Sequence, residues 1–178
     1  MKTTIKATGV VRRIDDLGRI VIPKEIRRTL KIREGDQLEI LVDHEGYICL
    51  KKYSPLGDLS NIAYAYIDAI RKKLDKKIIV TDLENVIASS KELYKKIDNK
   101  AIAKELEDII LRKEEAKAQG LKMTDDFIFE GTSFIKPILS YGDVLGAIVV
   151  LSTDELSNEE IKQIDILASF FENYLSNY

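Results

Sequence analysis

Apolar and polar positions alternate in short runs through the first 53 residues and then settle into longer periods. Residues 9–14, 19–22, 37–42 and 47–51 carry Val, Ile, Leu and Tyr at strand-like spacing, which predicts four strands. Asp15, Asp16, Leu17 and Gly18 separate the first two, and Asp43, His44, Glu45 and Gly46 the last two. Both stretches have the chemistry of a hairpin turn. Pro23 stops the second strand and fits the first position of a helix, where its missing N–H is no loss. In the helix that follows, Lys24, Arg27, Arg28 and Lys31 fall at i, i+3, i+4 and i+7 on one face, with Ile26 and Leu30 on the other. Arg33, Glu34, Gly35 and Asp36 turn the chain out of it.

Residues 53–58 hold the proline–glycine cluster (Pro55, Gly57) and read as a boundary between domains at 1–53 and 59–178. Residues 59–74 predict a helix with two apolar faces: Leu59, Ile62, Tyr66 and Ala69 on one, Ala63, Ile67, Ile70 and Leu74 on the other. Strands are expected at 77–81 and 86–89, a short helix at 91–97, and a long charged helix at 101–118 with Ile102, Leu106, Ile109 and Ile110 inward. A polar loop at 119–126 precedes strands at 127–129, 134–139 and 144–151. Ser157 with Glu160 forms a capping box that opens a final helix. The order predicts an α+β fold with an antiparallel sheet flanked by helices.

The last helix raises a question of assembly. Ile161, Ile164, Ala168, Phe171, Leu175 and Tyr178 follow steps of three and four, a coiled-coil-like seam. Ile166, Leu167, Phe170 and Tyr174 form a second set, available for the domain's own sheet. With Leu59, Ile62 and Tyr66, the seam predicts a helical bundle between subunits; the alternative is that the helices pack on each other within one chain.

Composition is that of a globular protein, 45% hydrophobic and 33% charged. No apolar run is long enough to span a bilayer, and none follows Met1 as an export signal would, so the cytoplasm is the expected location. A single cysteine excludes an internal disulfide. The net charge of -2 hides a division: residues 1–53 hold 12 Lys/Arg against 8 Asp/Glu, and residues 54–178 hold 16 against 22. Within 1–33 the balance is 10 against 3. Adjacent like charges on a helix repel by a few tenths of a kcal/mol per pair, and Glu25 is the one acidic residue among them. A solvated surface helix is one reading of this stripe; a polyanion that compensates it is the other. The head also carries more apolar residues than one small open sheet can cover, which predicts an interleaved homodimer.

Catalytic chemistry is missing from the sequence. His44 sits in a turn without a second histidine or nucleophile placed beside it, and Cys49 alternates with Ile48 and Leu50 in a strand. No zinc spacing or phosphate-binding glycine loop occurs, so no metal, cofactor or enzyme activity is expected. Tyr64, Tyr66, Phe170, Phe171 and Tyr174 fit core or interface; Phe127, Phe129 and Phe134 fit either a pocket or strand packing. No ligand-binding residue is assigned.

The run RRIDDLGRIVIPKEIRRTL, followed by IREGDQLEI and LKKYSP, resembles the DNA-binding domain of AbrB-type bacterial transition-state regulators over residues 8–55. The resemblance implies a dimeric swapped-hairpin β-barrel that binds double-stranded DNA through Arg12, Arg13, Arg19, Arg27 and Arg28. Lys24 and Lys31 would add phosphate charges. FIKPILSYGDVLGAIVVLS resembles the central hairpin of GAF domains, the ligand-sensing modules of bacterial regulators. The two-domain layout implies a sporulation regulator, activator or repressor, whose GAF domain senses a small-molecule effector or mediates assembly into a homotetramer. Two other readings are an antitoxin-like DNA-binding protein of the same swapped-hairpin fold and a signalling module whose basic head binds an acidic protein. Antitoxins of that fold end in a short extended segment, whereas this tail is long and patterned.

Overall fold

The computed structural model describes residues 8–176, and the chain divides into two units, Met1–Tyr53 and Ser54–Tyr178. Tyr178 lies outside the described residues. The first unit contains helix α1 (Lys24–Thr29) and strands β1 (Leu38–Val42) and β2 (Ile48–Lys52), paired antiparallel from Leu38 opposite Lys52 to Val42 opposite Ile48. The strands expected at 9–14 and 19–22 are not formed in the single chain, although the turn between them is. Among the described residues of this unit not one is buried. Val11 is 86% exposed, Val21 74%, Val42 70% and Ile48 67%, so these apolar side chains stand open to solvent in the single chain. Among the described residues of the first unit the sheet has two strands and does not close into a barrel.

The second unit has three layers. Its five-stranded antiparallel sheet runs in the order β4-β3-β7-β6-β5, with β3 at Lys77–Asp82, β4 at Val86–Ser89, β5 at Ala116–Thr124, β6 at Phe127–Ser140 and β7 at Asp143–Ser152. Helices α2 (Pro55–Asp58), α3 (Ser60–Leu74) and α6 (Asn158–Ser176) accompany one face, where Leu56, Ala63, Ile67, Val80, Ile148, Leu167 and Phe171 form one core. Helices α4 (Tyr94–Ile97) and α5 (Lys104–Ile110) accompany the other, with Ile79, Ile97, Leu106, Met123, Ile135 and Val149. The central strand β7 is covered on both faces, and residues 146–152 are all buried, which explains the unbroken apolar run in the sequence.

The long helix expected at 101–118 stops at Ile110. Lys113 takes a left-handed φ of +61°, and β5 occupies the rest together with most of the stretch read as a polar loop. Beyond Leu111 the charged residues offer a helix no apolar face to bury. Ala116 and Ala118 instead alternate into the core, and a bulge at Gly120 resets the phase so that Leu121 and Met123 also point inward. The short helix expected at 91–97 covers only Tyr94–Ile97, and the two strands expected between 127 and 139 are the single strand β6. The capping box is present: Glu160 N donates to Ser157 Oγ at 3.3 Å, and Ser157 N donates to Glu160 Oε2 at 2.7 Å.

Helix α6 turns inward Leu167, from the set expected on the domain's own sheet, and with it Ile164, Ala168 and Phe171 of the seam expected between subunits. Ile164, Ala168 and Phe171 are 1%, 1% and 0% exposed and belong to the chain's own core, as does Leu59 at 7%. The seam faces the unit's own interior, and these four side chains have almost no surface left for a partner. Ile62, Tyr66, Ile161 and Leu175 are half-buried beside them. Phe170 and Tyr174 are half-buried too, and Ile166 is 60% exposed. The Tyr66 and Phe170 rings lie 5.2 Å apart, centroid to centroid, and join α3 to α6 in one aromatic ridge.

Candidate nucleic-acid interface

Asp15 builds the first turn of the basic unit. Its Oδ1 accepts the backbone N–H groups of Leu17 at 3.1 Å and Arg19 at 2.7 Å, while its Oδ2 accepts the Arg19 Nε–H at 2.7 Å. Gly18 N donates to the Asp15 carbonyl at 3.0 Å, and Gly18 supplies the φ of +77° that the turn needs. The Arg19 backbone N–H, and then its side chain, hold the Asp15 carboxyl below its ordinary 3.8. Asp15 therefore orients Arg19, a role that sequence reading assigned to no residue. The legible signal was the spacing Asp-x-x-Gly, which recurs at Asp43 and Gly46. There Asp43 Oδ1 accepts Glu45 N at 2.9 Å and Tyr47 N at 2.8 Å.

The basic helix is shorter than its charge pattern suggests. Pro23 stands at the cap position, one residue before the helix, and its carbonyl accepts Arg27 N at 3.0 Å. Helix α1 ends at Thr29, and Ile32 N donates to the Arg27 carbonyl at 2.7 Å. Lys31 has a left-handed φ of +52° and so leaves the stripe; its carbonyl accepts Lys52 Nζ at 3.2 Å. Lys24, Arg27 and Arg28 remain on the helix and are exposed to solvent. Arg27 and Arg28 occupy the last turn, where helix carbonyls favour positive charge. Arg12 and Arg13 are exposed on the arm before the turn, Arg12 Nη1 donating to the Val11 carbonyl at 2.9 Å.

Asp36 shares Lys52 with the Lys31 carbonyl after the helix. Burial alone would raise its carboxyl, but the Arg33 backbone N–H at 2.7 Å and Lys52 Nζ at 3.1 Å outweigh that and lower it. Of the acidic groups near the basic positions, Asp15 is engaged within its own turn and Asp36 with Lys52. Among the described residues no group of three or more His, Cys, Asp or Glu is placed to hold a metal, and no helix is long and apolar enough to cross a membrane.

An exposed basic head, with no buried residue among those described, precedes a separately cored α+β unit, and two family profiles divide the chain in the same way, the second that of a transcription factor. A family profile for the "Antidote-toxin recognition MazE, bacterial antitoxin" covers residues 11–58, and one for the "Stage V sporulation protein T C-terminal, transcription factor" covers residues 58–175. The chain belongs to the stage V sporulation protein T family. It is 43% identical over 171 residues to stage V sporulation protein T of Bacillus subtilis (strain 168), a match spanning 93% of this chain and 96% of that protein. The transition state regulatory protein AbrB of the same organism is 42% identical over 95 residues, 49% of this chain and 98% of that protein. The solution structure of the N-domain of the transcription factor abrB is 62% identical over 29% of this chain and 98% of that chain, with a TM-score of 0.27. A type II free methionine-R-sulfoxide reductase from Thermoplasma acidophilum is 14% identical over 69% of this chain and 96% of that chain, with a TM-score of 0.54. That likeness extends to fold alone.

Proposed function

We propose that residues 1–53 form the DNA-binding domain of this sporulation regulator and that two chains complete it by interleaving their 9–22 hairpins. The observation that carries the dimer is the exposure of Val11, Ile14, Ile20, Val21, Ile40, Val42 and Ile48 in one unit: each is at least half exposed. Arg12, Arg13 and Arg19 on the turn arms, with Lys24, Arg27 and Arg28 on α1, supply the contacts to double-stranded DNA. Arginine reaches guanine or phosphate bidentately, and the lysines serve as phosphate charges. Lys31 contributes from the turn after α1 and not from the helix face.

Residues 59–178 act as the sensing or assembly domain, and nothing in them supports an enzyme. The chain's one thiol, Cys49, lies in the basic unit, so thiol chemistry has no residue in the GAF-like one. The folded, double-cored tail also distinguishes this chain from an antitoxin whose tail is a short extended segment. A second association surface is the ridge of Ile62, Tyr66, Phe170 and Tyr174 with Ile166, which replaces the seam expected from sequence. Two distinct two-fold contacts in one chain close a homotetramer. Such a regulator works in the cytoplasm, where its DNA is, and a small-molecule effector would act through the GAF-like domain.

Salt-titrated DNA binding tests the central reading. Removing one ionic interaction with a phosphate should reduce the magnitude of the log-affinity versus log-salt slope by about 0.9, and in a two-fold dimer each substitution does so twice. Arg27→Ala/Arg28→Ala should therefore weaken binding and flatten the slope. Full-strength binding by that variant, or a wild-type affinity indifferent to salt, rules the assignment out.

A further inference from the structure

Two lysines follow one another in β2, and the first unit uses them differently. Lys51 is exposed, whereas the Lys52 side chain, opposite Leu38 in the ladder, is only 26% exposed. Its Nζ lies 3.1 Å from Asp36 Oδ2, on a side chain 24% exposed, and donates to the Lys31 carbonyl at 3.2 Å. Asp36 is fixed in turn. The same Oδ2 accepts Arg33 N at 2.7 Å, and Asp36 N donates to the Arg33 carbonyl at 3.3 Å. One ammonium thus ties the foot of β2 to the 33–36 turn and to the end of α1.

What it meets there is the closure of the helix. Lys31 N donates to the Arg28 carbonyl at 3.3 Å and Ile32 N to the Arg27 carbonyl at 2.7 Å, with Lys31 at a φ of +52°. Helices commonly close in this pattern on a left-handed residue, a place that glycine usually fills. A lysine keeps such a conformation where its surroundings impose it, and the bond from Lys52 to its carbonyl is one such constraint. The two accepting carbonyls belong to Arg27 and Arg28, the helix arginines assigned to DNA. Apolar packing does little to seat the helix in its own chain: α1 has no buried residue, and Leu30 is exposed.

We propose that Lys52 and Asp36 are positioning residues for the DNA interface: they seat the end of α1, and with it the Arg27 and Arg28 side chains, without touching DNA themselves. The proposal rests on the DNA-binding reading above. It gives one lysine of the basic head an internal role, and it makes a carboxylate favourable to binding a polyanion. Charge alone dictates the opposite sign, since removing a negative charge from a phosphate-binding head should tighten binding.

The experiment measures the affinity of the full chain for a long mixed-sequence duplex at low salt, at protein concentrations where sedimentation of each variant matches the wild type. Asp36→Asn should weaken binding by about fivefold or more, the low end for the loss of one bidentate arginine contact, and Asp36→Glu should recover most of it. Lys52→Met should weaken binding in the wild-type background but change it by no more than about twofold in Arg27→Ala/Arg28→Ala, whereas a lysine on a phosphate would act equally in both. The Ile32 amide resonance should move in Asp36→Asn and Lys52→Met and return in Asp36→Glu. Equal or tighter binding by Asp36→Asn overturns the proposal and leaves the DNA-binding reading intact, as does an undiminished effect of Lys52→Met in the double-arginine variant. An Asp36→Asn chain that no longer self-associates as the wild type does overturns it too, because the carboxylate would then hold the fold and not the helix. A wild type that binds no DNA removes both readings at once.

Discussion

A carboxylate that organises a turn leaves a measurable signature. Asp15 is held below its ordinary 3.8 by the Arg19 backbone N–H and side chain. The depressed value means that its contribution is present above 3.8 and is lost as pH falls through the lower folded value. The Leu17 and Arg19 amide resonances should therefore titrate with a midpoint below 3.8, and Asp15→Asn should abolish that titration. An unshifted midpoint would show that Arg19 is not held. Gly146 makes the opposite kind of demand, for space. With the Thr81 carbonyl 1.9 Å from an added Cβ, Gly146→Ala should destabilise the second unit by at least about 1–3 kcal/mol in denaturant unfolding, as overpacking does. Neither dependence is visible from residue type alone: the glycine reads as a strand residue and the aspartate as one of a turn-forming pair.

At the level of elements, helix α6 and strand β5 show where sequence patterning stops being decisive. A helix with two apolar faces does not announce which one meets the sheet, and Ile164, Ala168 and Phe171 of the three-and-four seam lie inward together with Leu167. Phe171→Ala should cost the unit about 3–5 kcal/mol, the usual range for emptying a buried aromatic site. Ile166→Ala, at 60% exposure, should change unit stability by less than about 0.5 kcal/mol. The same substitution should weaken self-association in sedimentation if the Tyr66–Phe170 ridge is the second interface; unchanged sedimentation of Ile166→Ala would argue against that face. Strand β5 misleads in another way. Ala, Lys, Gln and Glu favour helices locally, yet the alternation of Ala116, Ala118 and then Leu121, Met123 carried the strand, broken in phase by the Gly120 bulge. Strands bounded by unambiguous turns, such as β1, β2, β3, β4 and β7, were legible from the start. The basic positions were legible too, because charge survives on a surface whatever the packing beneath. The turn at Asp15 was legible from its Asp-x-x-Gly spacing, but the hold of its carboxylate on the Arg19 side chain was not, since that depends on geometry.

For the whole molecule, the contrast between the units is one of self-sufficiency. Residues 54–178 carry two cores, one on each face of the sheet, whereas the described residues of the head carry none. Under the proposed pairing, folding of the head is a bimolecular event governed by mass action, while folding of the tail is not. Dilution should therefore melt the head first: circular dichroism and chymotrypsin sensitivity around exposed Tyr47 and Tyr53 should depend on protein concentration, and unfolding of the GAF-like unit should depend on it far less. A head that keeps its structure at every dilution would contradict the pairing. Because only paired heads present both sets of arginines, occupancy of DNA should rise with a higher power of cellular protein level than one. The missing core thus becomes a threshold, tying the regulator's output to how much of it the cell has accumulated.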